Sequence, residues 1–217
     1  ESTGYGLIYF AQEMLKVKGK TFEGLRVSVS GAGNVAQFAT QKLIELGAKV
    51  ITVSDSAGTV VDEAGFTSEK LATLMQVKNQ EYGRVAEYAK RVGAQYLEGK
   101  RPWGVKVDVA LPCATQNELD EKDAAELIKN GVLCVAEGAN MPVTFEATKM
   151  LGNAGVLYAP GKASNAGGVS TSGLEMSQNA MRLAWSREEV DARLHQIMRN
   201  IHDACLKHGK KKDGSIS

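Results

Sequence analysis

The residues Gly31-Ala32-Gly33-Asn34-Val35-Ala36 fit the pattern G-x-G-x-x-A. Small residues at these three positions serve a chemical end. The first glycine makes a tight turn, the second lets backbone amides approach an anion, and the third small residue lets a helix pack close to a strand. A helix starting there would offer free N–H groups and its positive dipole end to a pyrophosphate. The bland alternative is a strand-to-helix turn with helpful glycines. Asp55 follows Gly31 by 24 residues, from 31 to 55, in Ser54-Asp55-Ser56. That is close to the roughly 20-residue offset of an acid that reads an adenosine ribose. Such an acid favours NAD, because it binds the 2′-hydroxyl and repels a 2′-phosphate. Two serines flank it, however, and Lys78 and Arg84 follow. Hydroxyls plus cations could hold a 2′-phosphate. A solvated helix face is the plain reading of Lys78 and Arg84, so the residues alone leave NAD and NADP open.

Three polar clusters carry the remaining signal. They are Pro112-Cys113-Ala114-Thr115-Gln116-Asn117, Glu137-Gly138-Ala139-Asn140, and the run from Gly161 to Gly173. Each could be a capped turn. All three follow strand-like runs, however, and ligands of open parallel sheets bind at the carboxyl ends of strands.

The elements that must position these groups are legible from periodicity. Thr3 to Val17 has apolar residues at helical spacing, and Leu25 to Ser30 reads as a strand. A helical stripe from Val35 to Leu46 and a strand from Lys49 to Ser54 complete a βαβ unit. Further helices are predicted from a Thr67 cap through Leu74, over Val85–Arg91, Asp120–Lys129 and Glu146–Leu151, and from Ser170 onward in two segments. Further strands are predicted over Val105–Ala110, Val132–Ala136 and Val156–Ala159. This alternation predicts a Rossmann-like, doubly wound α/β fold: a mostly parallel sheet with helices on both faces. Lys207 to Lys212 reads as a solvated basic end.

Composition narrows the function classes. The chain has 217 residues, with 26 Lys plus Arg against 25 Asp plus Glu, for a net charge of +1. That balance argues against a dedicated nucleic-acid binder. No apolar run approaches the roughly 18 residues that span a bilayer. Cys113, Cys134 and Cys205 are widely spaced, which predicts neither a disulfide framework nor a metal cage and fits a reducing, cytoplasmic setting. Residues 1–6, E-S-T-G-Y-G, open in mid-motif and read as the start of a segment cut from a longer chain.

The motifs E-S-T-G-Y-G, S-V-S-G-A-G-N-V-A-Q, L-P-C-A-T-Q-N-E-L, A-E-G-A-N-M-P and A-P-G-K-A-S-N-A-G-G-V-S-T-S-G-L-E-M-S-Q-N run through the whole chain in order. Together they resemble the coenzyme domain of hexameric glutamate dehydrogenases, above all the NADP-dependent branch. The resemblance implies reversible conversion of 2-oxoglutarate, ammonium and NADPH to L-glutamate and NADP by a homo-hexamer. It implies coenzyme contacts at Thr3, at Gly31, Gly33, Asn34 and Val35 of the glycine turn, and at Ser54, Asp55, Ser56, Lys78 and Arg84. It puts Ala114-Thr115 and Ala139-Asn140 along the nicotinamide half. It puts Ser172 on the substrate's distal carboxylate, with Asn165 and Val169 beside it. The whole of 1–217 then reads as the dinucleotide-binding domain, with 1–20 a hinge-side helix and 164–217 a cleft-side loop and C-terminal helices. The family's catalytic lysine lies in a G-G-x-K-G-G segment of a separate N-terminal substrate domain, and this chain contains no such segment. No catalytic residue and no metal site are therefore expected here. The alternatives are an NAD-dependent branched-chain or aromatic amino acid dehydrogenase, which would place apolar residues where Ser172 stands, and a non-catalytic dinucleotide sensor.

Overall fold

The computed structural model describes residues 1–209. The α-helices are α1 (Ser2–Val17), α2 (Asn34–Glu45), α3 (Ser68–Met75), α4 (Val85–Val92), α5 (Glu121–Lys129), α6 (Phe145–Asn153), α7 (Gly161–Ser164), α8 (Gly167–Met181) and α9 (Arg187–Gly209). The strands are β1 (Arg26–Val29), β2 (Lys49–Asp55), β3 (Gly58–Val61), β4 (Gln95–Glu98), β5 (Val109–Leu111), β6 (Cys134–Ala136) and β7 (Leu157–Ala159). They form one sheet in the order β4-β3-β2-β1-β5-β6-β7. The neighbours from β2 across β1, β5 and β6 to β7 are parallel, while β3 and β4 add an antiparallel edge.

Alternating side chains split the core into two layers, with a register shift between Val50 and Thr52 that returns Val53 to the face of Val50. Val27, Val29, Val50, Val53, Val109, Leu111, Cys134 and Ala136 join one cluster with side chains of α1 to α4 and α9. Ile51, Ala110 and Val135 face the other cluster, which α5, α6 and the buried Trp103 complete. Helices thus cover both faces, as the alternating pattern predicts.

The structure adds two strands that periodicity did not predict, β3 before α3 and β4 after α4, and shifts other bounds. Asp55 and Gly58 pair across a two-residue turn, so Ser56 and Ala57 form the tip of a β-hairpin. Asp55 Oδ1 accepts the Ala57 N–H at 2.9 Å, the Asx interaction that favours such turns. The strand expected over Val105–Ala110 instead spans Val109–Leu111, because the preceding residues follow the 3₁₀ turn Pro102–Gly104. Helix α8 also begins three residues before the expected Ser170. Of the basic end, Lys207 lies in the last turn of α9, and residues 210–212 lie outside the described residues.

Helix α1 is buried on nearly every side, packed against α2, α8 and α9. Its two glycines explain how. A Cβ on Gly4 would stand 2.8 Å from the Ala39 nitrogen of α2, and one on Gly6 would stand 2.9 Å from the Gly167 Cα of α8. Glycine in a helix costs roughly 0.5–1 kcal/mol relative to alanine. Here it admits a backbone on each side.

Helix α9 docks on α1 through two histidines. The His195 ring stacks on Tyr9 at 4.3 Å, and His202 meets Phe10 edge-to-face at 5.4 Å. The Tyr9 hydroxyl donates to Asp191 at 2.7 Å. Among the described residues the buried His195 Nε2 has no hydrogen-bond partner, although Glu13, Lys16, Arg199 and Asp191 surround the ring. Burial holds both imidazoles below their ordinary value of 6.5. The unfolded chain then binds more protons than the folded one, so stability is complete above about pH 6.5 and is lost as pH falls below it. Melting temperature should fall between pH 7.5 and 5.5. His195→Phe, which keeps the stack, should shrink that fall. An equal fall in the variant would remove His195 as its cause.

Candidate dinucleotide site at the strand ends

From β1 the chain runs outward to β2, β3 and β4, then returns to β5 on the opposite side of β1. This reversal opens a crevice at the carboxyl ends of β1 and β5, where ligands of open α/β sheets bind. Gly31 stands at its edge with φ +81°, a left-handed conformation, and a Cβ there would lie 3.2 Å from Ala114 Cα. Both facts call for glycine. Gly33 has an ordinary φ of −85°, and a Cβ there would meet nothing within 4 Å. Its side-chain space is open, which suits close approach by a ligand.

Gly33 is the N-cap of α2, with no side-chain cap and no acid in the first turn. By contrast Thr67, Asp120 and Thr144 cap α3, α5 and α6 with their own oxygens. The α2 N-terminus therefore presents N–H groups that no cap occupies, beside the exposed Gly33 and Asn34. A pyrophosphate fits that arrangement. Val35, one residue further, is half-buried and faces inward: its Cγ1 lies 3.3 Å from the position of a Gly138 Cβ.

Gly138 ties the remaining strand end to this point. A Cβ on it would meet Cys113 Sγ at 2.6 Å and Leu7 Cδ2 at 2.8 Å. The N–H groups of Gly138 and Ala139 both donate to the Pro112 carbonyl, at 2.9 and 3.0 Å. Asn117 and Met141 both adopt positive φ, and the Asn117 N–H donates to the Met141 carbonyl at 3.1 Å. Two strained residues thus hold the loops after β5 and β6 side by side. Ala114, Thr115 and Asn140 are exposed there, and Ala139 is half-buried.

At the β2 end the four expected ribose-side groups divide. Ser54 is drawn into the fold: its hydroxyl accepts the Gly31 N–H at 2.9 Å, and its own N–H donates to the Gly31 carbonyl. Asp55 is likewise engaged. Besides Ala57, its Oδ2 accepts the Val85 N–H at 3.1 Å, so it caps α4 from another element. Ser56 and Arg84 remain at the surface, with Arg84 Nη1 donating to Ser56 Oγ at 3.2 Å. Lys78, on a π-helical turn, donates to the Gly83 carbonyl at 2.9 Å. Among the described residues neither cation has a carboxylate partner; the nearby Glu81 is taken by Arg91.

The third cluster is anchored by a residue of the second, in a role the sequence did not show. Glu137, at the end of β6, is 4% exposed. Its carboxylate accepts the Tyr158 hydroxyl at 2.5 Å and the Gly161 N–H at 2.6 Å, while its carbonyl accepts the Ser164 hydroxyl at 2.6 Å. Asn165 Nδ2 donates to the Ala139 carbonyl at 3.2 Å. These bonds set the start of α8, on which Val169 and Ser172 are exposed. Thr3 meets α8 at the same crossing, since a Cβ on Gly168 would stand 2.6 Å from its hydroxyl. The structure thus brings Thr3, the glycine turn and all three clusters to one end of the sheet. It sets Ser56, Lys78 and Arg84 at the β2 side of that end.

The two turn glycines should respond differently to substitution. Gly31→Ala should cost about 1–3 kcal/mol, from its positive φ and its contact with Ala114. Gly33→Ser, with open space and a cap-forming hydroxyl, should cost nothing. Urea unfolding of the two variants measures this, and equal midpoints would refute the distinction.

Comparison with known proteins agrees with this architecture. Residues 1–217 match the family model for Glutamate/Leucine/Phenylalanine/Valine dehydrogenase. The chain is 66% identical, over 96% of its length, to the NADP-specific glutamate dehydrogenase of Escherichia coli, of which it covers 47%. It is 56% identical over its full length to the NAD(P)-specific glutamate dehydrogenase of Xylanibacter ruminicola, covering 49% of that protein. It also superposes on the crystal structure of Plasmodium falciparum glutamate dehydrogenase with a TM-score of 0.93 and 47% identity, over 96% of this chain and 45% of that one. The chain spans about half the length of the relatives it matches. With every one of its residues inside the family match and its sheet superposed on a solved member, this chain belongs to the Glutamate/Leucine/Phenylalanine/Valine dehydrogenase family.

Proposed function

We propose that this chain is the coenzyme-binding half of a glutamate dehydrogenase that uses NADP(H) to interconvert L-glutamate with 2-oxoglutarate and ammonium. The bound nicotinamide supplies hydride transfer. The chain's own residues would hold it: the α2 N-terminus and Gly33 on the pyrophosphate, Thr115 and Asn140 along the nicotinamide half, and Ser172 on the substrate carboxylate. The catalytic lysine of this reading belongs to a substrate domain outside these 217 residues. A cytoplasmic homo-hexamer serving nitrogen assimilation is part of the same proposal, and it draws on the family resemblance alone.

The observation that carries the coenzyme choice is the state of Asp55. By the usual rule this acid would select NAD. Here both its oxygens accept backbone N–H groups, one of them at the start of α4. That engagement occupies both carboxylate oxygens within the fold. Ser56, Arg84 and Lys78 stand beside it as a polar, cationic corner. A second reading, dual use of NAD and NADP, draws support from the NAD(P)-specific relative at 56% identity.

A charge-assisted hydrogen bond contributes about 1.5–3 kcal/mol. Replacing both Lys78 and Arg84 by Ala should therefore weaken NADPH binding at least about tenfold and leave NADH binding nearly unchanged. Titration of the parent chain at low salt should show tighter binding of NADPH than of NADH. The reverse order would sink the NADP assignment and leave the fold standing. Gly33→Val should keep the fold, since nothing crowds the site, yet block coenzyme binding by filling the pyrophosphate's approach. Unchanged NADPH affinity in that variant would put the phosphate elsewhere.

A further inference from the structure

The loop after β5 is closed by its own carboxylate. Glu118 Oε1 accepts the Ala114 N–H at 2.9 Å and the Thr115 N–H at 3.3 Å. Two successive amides thus converge on one anionic oxygen, as in the backbone concavities that bind free anions. The Ser30 hydroxyl, at the end of β1, accepts the Cys113 N–H at 2.9 Å and also lies against the Glu118 carboxylate. On its other flank, the Glu118 carbonyl accepts the Trp103 indole N–H at 3.0 Å. Trp103 is fully buried, so Glu118 is fixed at both its backbone and its side chain. Burial pushes its carboxyl up from its ordinary value.

The consequence is positional. Ala114 abuts Gly31, and Thr115 is the exposed residue beyond it. Free rotation of these two peptides would move Thr115, while Gly31 stays held by its two bonds to Ser54. We propose that Glu118, backed by Ser30, is a positioning residue for the nicotinamide side of the site: it locks the Ala114–Thr115 peptides in the orientation the coenzyme meets. This rests on the coenzyme reading given above. Glu118 touches no ligand in that arrangement and acts through the two amides it holds. The adenosine side, built on β2 and α4, does not depend on it.

That separation defines the test. The probes are NADPH and adenosine 2′,5′-bisphosphate, which carries only the adenosine half. Glu118→Ala should weaken NADPH about tenfold or more while changing adenosine 2′,5′-bisphosphate by less than about twofold. Glu118→Gln keeps an oxygen acceptor and should recover most of the NADPH affinity. In the Ala variant without ligand, amide exchange should quicken at Ala114 and Thr115 and stay unchanged over Gly31–Ala36. Equal loss of both probes, or faster exchange across the glycine turn as well, would show a merely structural role and overturn the proposal. Unchanged NADPH affinity in Glu118→Ala would overturn it too. Failure of the parent chain to bind either probe would instead reject the coenzyme reading itself, and the two failures are told apart by which protein shows them.

Discussion

Close approach of backbones at one end of the sheet is the constraint on which the rest of the structure depends. Gly4, Gly6, Gly31, Gly138 and Gly167 each stand where a Cβ would come within about 3.2 Å of a neighbouring atom. They belong to α1, to the turn after β1, to the end of β6 and to the start of α8. Their convergence draws these elements together, main chain against main chain at Gly4, Gly6 and Gly167 and main chain against the Cys113 and Leu7 side chains at Gly138. Interiors are close-packed, and a single added carbon at such a point forces backbones apart.

Polar groups complete what the glycines allow. The buried oxygens near the crevice are mostly acceptors for backbone N–H groups on other elements. Ser54 holds Gly31, Ser30 holds Cys113, Glu118 holds Ala114 and Thr115, and Glu137 holds Gly161. Each ties a loop to a strand end, where an unpaired buried amide would otherwise cost about 1–3 kcal/mol. The α2 N-terminus has neither a side-chain cap nor an acid in its first turn, and Gly33 and Asn34 there are exposed. Within a region where loops are pinned so thoroughly, an uncapped helix end is what an anion site requires.

Helix α8 shows the opposite balance. Of its residues only Gly167 is buried, while Val169 is 80% and Met176 is 73% exposed. Its placement comes from its first turn against α1 and from the Glu137 bonds just before it, with α9 packed alongside. The helix therefore projects a face of Val169, Ser172 and Met176 outward from a rigid base. A polar hydroxyl flanked by apolar side chains suits a ligand that has both a carboxylate and an aliphatic chain.

The sequence by itself determined the parallel half of the sheet and the glycine turn. Those signals are local: a β-branched run, a G-x-G-x-x-A turn and an amphipathic stripe lie within about twenty residues, and periodicity reads them directly. The family motifs, spread over the chain in order, added the coenzyme and substrate assignments. The antiparallel edge was not legible, because Gly58–Val61 and Gln95–Glu98 are four residues each and pair across a gap that no local pattern spans. Nor was the state of Asp55, which reads as a ribose acid by its spacing. Its partner Val85 lies 30 residues away and becomes a neighbour only when α4 packs beside the hairpin. Glu118 and Glu137 stood in plain view within their motifs, yet their roles depend on which amides the folded loops turn toward them. Tertiary structure decided these points because a side chain's chemistry is set by the partners that burial supplies, and those partners come from distant parts of the chain.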